Sequence, residues 1–164
     1  MRADATRNRE CLIAAARERF TAGNTMLSLE GVAQAAEVGI GTLYRHFPTR
    51  EALVEAVYRS ELDSLSTEAE SLLNAHFAFD ALRIWMDRYT RFVATKRAMY
   101  EALRIALTSK TRQAPQTRAR IRASVAKFVS AGTVNGTIRD DVAPDDITVN
   151  LAGIVLMTTA TDQD

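Results

Sequence analysis

Thr42, Tyr44 and Arg45 place a hydroxyl, a phenol and a guanidinium close together in the run Gly41-Thr42-Leu43-Tyr44-Arg45-His46-Phe47-Pro48. If the run is helical, Leu43 and Phe47 lie one turn apart and return to a core, which leaves the other three on the opposite face. These groups have reach and hydrogen-bonding capacity but no acid–base partner. Thr42 can meet a base edge or a phosphate, Tyr44 can set its hydroxyl against the nucleic-acid backbone, and Arg45 can pair with phosphate or with the acceptors of guanine. His46 can approach a phosphate or cap and pack the helix end. Thr49 is a suitable cap for the following helix, Pro48 fixes the approach, and Arg50 stands beside exposed N–H groups that attract phosphate.

Catalytic and metal chemistries find little support. His46 and His76 are far apart and lack a spaced set of Cys, Asp or Glu ligands, so no metal is expected. Ser28, Ser60 and Ser64 have no identifiable base. Gly39 and Gly41 lack the spacing and strand-to-helix setting of a phosphate loop. No cofactor and no enzyme activity are expected.

The elements that must position this face are helices. Asn8 to Ala22 reads as the first, with Leu12, Ala15, Ala16, Arg19 and Phe20 at helical spacing, Cys11 near the same stripe, and Gly23 and Asn24 ending it. Ser28 caps a second helix, Leu29 to Ala36, whose Val32, Ala33 and Ala36 face the first. Val38 reverses the chain, and Ile40 to His46 forms the third. A tight helix-turn-helix leaves the outer face of its second helix available to the major groove. Leu53, Val54, Val57 and Tyr58 then supply a stripe joining this unit to the rest.

Composition agrees with an all-α chain. The proline-bearing breaks at Pro48 and Pro144 stand among long segments rich in Ala, Leu, Arg and Glu, and strand-like alternation is scarce. Cys11 is the single cysteine, which excludes an internal disulfide and favours a reducing, cytosolic setting. The polar start Met1 to Arg7 does not read as a signal peptide, and Leu151 to Ala160 is too short to cross a bilayer, so a soluble protein without a membrane partner is expected. The net charge of +1 is uninformative, because phosphate contacts need local charge. The span Arg83 to Lys127 is rich in Arg and Lys, whereas Asp140 to Asp164 is acidic. These charges solvate outer helix faces, unless helix phase gathers them into a second ligand surface.

On the motif Gly41 to Leu53 the chain resembles the tetracycline-repressor family of bacterial regulators, with distinctive residues over about Asn8 to Tyr58. The resemblance implies a cytoplasmic homodimer. Each subunit presents one helix-turn-helix to half of a pseudo-palindromic double-stranded operator, and a small molecule in the carboxyl-terminal domain lowers operator affinity. It maps Ser28, Thr42, Tyr44 and Arg50 onto DNA-contacting positions, with Arg45 at a variable position able to carry operator preference. Two positions depart from the family pattern. Glu37 stands where a turn glycine is common, at an ordering cost of about 1 kcal/mol if its backbone is left-handed, and Gly39 replaces a frequent serine cap.

The expected organisation is a DNA-binding domain over 1–54 and a helical ligand-binding and dimerisation domain over 55–164. In the latter, Glu55–Asn74, Phe79–Leu107, Ala114–Ala131 and Pro144–Thr159 read as helical segments, with Gly132–Val142 as a loop. Trp85, Met86, Tyr89, Phe92, Met99 and Tyr100 can fill a bundle core or line a pocket for a hydrophobic or aromatic effector. Ala126, Val129, Leu151, Ile154, Val155 and Met157 offer apolar surface for pairing two chains. Many relatives continue past the point corresponding to Asp164, so a shortened chain, a compact variant or a partly exposed dimer surface would each fit. A helical protein-interaction scaffold and a low-specificity architectural DNA-binding protein are the alternatives.

Overall fold

Seven helices make up the regular structure of the computed structural model, which describes residues 2–22, 27–99 and 113–161. They are α1 (Arg2–Thr21), α2 (Leu29–Ala35), α3 (Ile40–His46), α4 (Arg50–Ala75), α5 (Ala78–Ala98), α6 (Gln113–Val134) and α7 (Pro144–Thr161). The fold is all-α, as the composition predicts. α1 begins six residues before the expected Asn8, because the polar opening segment has good helix formers and no breaker even though it lacks an apolar stripe. α6 runs on past Ala131 through Gly132 to Val134, so the loop is shorter than expected. The expected helix end at Gly23 and Asn24, and the last part of the expected Phe79–Leu107 segment, Tyr100–Leu107, lie outside the described residues. None of the described helices is long and apolar enough to cross a membrane.

The chain forms two compact units. Among the described residues, one takes those up to Ser60 together with Thr95–Met99, and the other takes Glu61–Ala94 and those from Gln113 to Thr161.

In the first unit α1, α2 and α3 pack together around Leu12, Ala16, Phe20, Val32, Leu43 and Phe47, joined by Leu53, Val54 and Val57 of α4. Three helices of which two have only seven residues cannot stand alone, so this shared apolar core holds them. Arg19 ties α1 to α2. Its guanidinium donates to the Gly31 carbonyl at 3.0 Å, and a Cβ at residue 31 would come within 3.2 Å of it, which suits glycine there.

The turn between α2 and α3 explains the two unusual residues. The Val38 N–H donates to the Ala33 carbonyl at 2.9 Å and the Glu37 N–H to the Gln34 carbonyl at 3.1 Å, the paired bonds of a Schellman helix end. That closure needs a left-handed residue, and Glu37 supplies it at φ 54°. Replacing Glu37 by Gly is expected to stabilise the protein by about 0.5–1 kcal/mol, because the left-handed penalty exceeds the added freedom of the unfolded chain. Thermal unfolding checks this; a lower midpoint in Glu37→Gly would refute it. Gly39 starts α3 with extended backbone and no side-chain cap.

The second unit is built on Trp85. Its indole N–H donates to the Leu65 carbonyl at 2.9 Å, and its ring stacks on Tyr89 at 5.4 Å and meets Phe128 of α6 at 6.0 Å. Leu62, Leu65, Ala69 and Leu72 of α4 supply the facing stripe at helical spacing. Asp63 pairs with Arg120 and Glu70 with Lys127, both across 57 residues, so α4 and α6 run in the same direction here. The hydrogen bond and charge of Lys127 hold the Glu70 carboxyl below its ordinary range. Its contribution is therefore present above the carboxylate range and lost on acidification. α6 turns into α7 through Gly132, whose carbonyl accepts from Thr137 and Ile138. A Cβ there would lie 2.5 Å from Ile138 Cδ1, so the tight return requires glycine. Arg122 and Asp145 pair across α6 and α7 at 3.3 Å.

Candidate nucleic-acid interface

Ser28 initiates the pair of helices. With extended backbone it accepts the Gly31 N–H on its hydroxyl at 3.1 Å, capping α2, while its own O–H donates to Glu30 at 3.1 Å. The Schellman turn then directs the chain into α3. There Leu43 is wholly buried and Phe47 nearly so, and the Phe47 N–H closes the helix on the Leu43 carbonyl at 2.7 Å. These two anchors fix the rotation of α3 about its axis. Thr42 is consequently half-buried, Tyr44 is 45% exposed and Arg45 is exposed.

Pro48 separates α3 from α4, and Thr49 caps α4 by accepting the Ala52 N–H at 3.2 Å. Thr49 is exposed, while His46 and Arg50 are half-buried. The structure thus gathers Thr42, Tyr44, Arg45, His46, Thr49 and Arg50 along α3 and its corner with α4, with Ser28 at the start of α2. The set offers hydroxyls and cations and no pairing of general acid with base. Such a surface suits anionic oxygens and base edges rather than bond-breaking.

One neighbour was not singled out from sequence. Arg9 of α1 places its guanidinium carbon 5.4 Å from the centre of the Phe47 ring. Its signal was its spacing of three from Leu12 and four from Ile13, on the inward stripe of α1 where an apolar residue is the ordinary choice.

The remaining candidates fall in different surroundings. Trp85, Tyr89 and Phe92 form a buried file, with Tyr89 and Phe92 rings 6.3 Å apart, and Met86 is half-buried beside them. Met99 is buried in the other unit. Tyr100 lies outside the described residues. Among the pairing candidates, Val129 is buried, Ala126, Leu151 and Val155 are half-buried, and Ile154 and Met157 are 59% and 73% exposed. Ala126 lines an open groove with Leu73, Ala123, Ser130 and Val134, which the sequence reading did not assemble because it joins residues of α4 and α6. Among the described residues, no group of three or more His, Cys, Asp or Glu is placed to hold a metal ion.

Comparison with known proteins bears on both halves. Residues 12–57 match the family described as bacterial regulatory proteins, tetR family, and residues 78–164 match the carboxyl-terminal domain of SbtR-like transcriptional regulators. The crystal structure of a TetR transcriptional regulator from Streptomyces coelicolor is 36% identical, with a TM-score of 0.83 over 94% of this chain and 89% of that one. A TetR transcription regulatory protein from Mycobacterium vanbaalenii is 31% identical, with a TM-score of 0.77 over 98% of this chain and 96% of that one. HTH-type transcriptional regulators of Staphylococcus aureus are 27% identical over 105 residues, or 63% of this chain, and the match spans 57% of the length of those curated relatives.

Proposed function

The chain belongs to the TetR family of bacterial transcriptional regulators, and from that membership we propose that it is a homodimeric repressor, held on a pseudo-palindromic operator until a small molecule releases it. A DNA-binding regulatory role, rather than an enzymatic one, comes with the family. The observation that supports operator reading is the phase of α3, with Leu43 and Phe47 buried and Tyr44 and Arg45 outward.

In this reading α3 enters the major groove, Arg45 reads base acceptors, and Thr42 and Tyr44 contact base edge or phosphate. Ser28, His46, Thr49 and Arg50 complete the backbone contacts. The residues over 1–54 form the reading domain, and 55–164 carry effector binding and dimerisation. Pairing uses α6 and α7 through Ala126, Val129, Leu151, Ile154, Val155 and Met157. The exposure of Ile154 and Met157 supports this, since such large apolar side chains gain most from being covered. A hydrophobic or aromatic effector acts on the layer of Trp85, Met86, Tyr89 and Phe92, with Met99 and Tyr100 as further apolar groups of the chain.

Selection of bound duplexes from a randomised library, with size-characterised protein at near-physiological salt, tests the proposal. Enrichment of an inverted repeat supports it. Folded protein that enriches no sequence overturns it, and weak binding to many duplexes would assign an architectural role instead. On the selected operator, Tyr44→Phe removes a hydroxyl contact while keeping the ring. The expected loss is about 1 kcal/mol per half-site, or roughly thirty-fold over two. Unchanged affinity in salt-matched titrations would remove Tyr44 from the contact set.

A further inference from the structure

We infer that Arg9 of α1, a residue outside the helix-turn-helix, is an additional DNA-phosphate contact. The inference rests on the operator-binding reading above and extends its surface to α1.

The placement of Arg9 is chemically odd for a merely solvating charge. Solvating charges of α1 lie on its outer face, as exposed Arg17 and Glu18 do. Arg9 instead continues the stripe of Ile13, Ala16 and Phe20, which carries the core. It stands just where that core ends, over the ring of Phe47, and remains exposed. Phe47 is the residue that terminates α3, its ring is 6.3 Å from that of His46, and α4 starts three residues later. The guanidinium is thus seated on Phe47, which follows His46 and precedes Thr49 and Arg50 at the α3–α4 corner.

Stacking and phosphate binding are compatible in one guanidinium. Its face lies against a ring, while its N–H donors point outward in the plane and form the fork that suits a phosphate. A ring contact of this kind, with the Arg9 guanidinium carbon 5.4 Å from the Phe47 ring centre, is compatible with the N–H donors serving a phosphate. Arg9 also lies two turns inside α1, which begins at Arg2, so its backbone is held by a regular helix. A long cation fixed this way loses less freedom on meeting a phosphate than one on a frayed end.

The test measures the salt dependence of binding to the selected operator for the wild-type protein, R9M, R9K and, as a charge-matched control in the other unit, R83M. R9M keeps an unbranched stem over Phe47 and removes the charge. For a dimer it should flatten the slope of log K against log salt by about two, since each lost phosphate contact is worth about 0.9. R9K should largely restore the slope, and R83M should leave it unchanged. A wild-type slope in folded R9M, or an equal loss in R83M, overturns the inference while leaving operator reading intact. Failure of the wild-type protein to bind any operator overturns both.

A second measurement needs no variant and guards against R9M failing to fold. Modification of the wild-type protein by an arginine-selective dicarbonyl, read by mass spectrometry, should show Arg9 protected by operator DNA and Arg83 not. Undiminished modification of Arg9 in the complex overturns the inference.

Discussion

Trp85→Ala is expected to lower stability by about 3–5 kcal/mol, the loss typical of truncating a large buried aromatic side chain without refilling the space. The value belongs at the upper part of that range because three kinds of contact end together. Trp85 is 0% exposed, its ring stacks on Tyr89 and meets Phe128, and its N–H is bonded to Leu65. No neighbour can collapse into the gap cheaply, since the facing groups sit on three helices and α6 is tied to α4 by the two ion pairs at Asp63 and Glu70. For a chain of this length the midpoint of thermal unfolding should fall by roughly 10 °C or more. Trp85→Phe keeps most of the ring and loses the N–H bond, so it should lose much less. Calorimetry or circular dichroism provides the check. An alanine variant melting within a degree or two of the wild type would show that the second unit does not depend on this centre. Against a total stability of about 5–15 kcal/mol, the expected loss also threatens the folded population at physiological temperature.

The difference between what the chain reveals and what it conceals follows from the range of each interaction. Helix identity depends on residues three and four apart, so Leu43 and Phe47, Leu53 and Val57, and the caps at Ser28 and Thr49 are legible locally. The strained turn at Glu37 is anticipated only through the family resemblance, in which a turn glycine is common at that position. The start of α1 is less legible, since periodicity locates the part of a helix that packs and Arg2–Arg7 has no apolar stripe to register. Trp85, Tyr89 and Phe92 show the next limit. An aromatic run is equally suited to filling a bundle or lining a pocket, and only the ring separations, set by residues on α4 and α6, show that these three are packed together. The groove around Ala126 and Leu73 and the seat of Arg9 on Phe47 are beyond local reading for the same reason. Each joins residues dozens of positions apart, and helix phase alone does not say which helices meet.

Arg45→Ala should have the largest effect on DNA reading, because helix phase sets Arg45 outward while the folded core does not use it. A bidentate arginine–guanine contact is worth about 1–3 kcal/mol of discrimination against the wrong base. In a dimer the same contact occurs in both half-sites, so the operator should lose about 2–6 kcal/mol, roughly thirty-fold to beyond ten-thousand-fold in affinity. The loss should be unequal across sequences. Operators carrying the preferred base at the Arg45 position lose most, and those already mismatched there lose little, whereas removal of a phosphate contact weakens all duplexes alike. Titrating Arg45→Ala against the selected operator and against symmetric single-base variants distinguishes these outcomes. A uniform loss would move Arg45 to the backbone-contact set. Unchanged affinity would mean that the outward face of α3 does not read the groove, which would remove the chief support for assigning operator recognition to this helix.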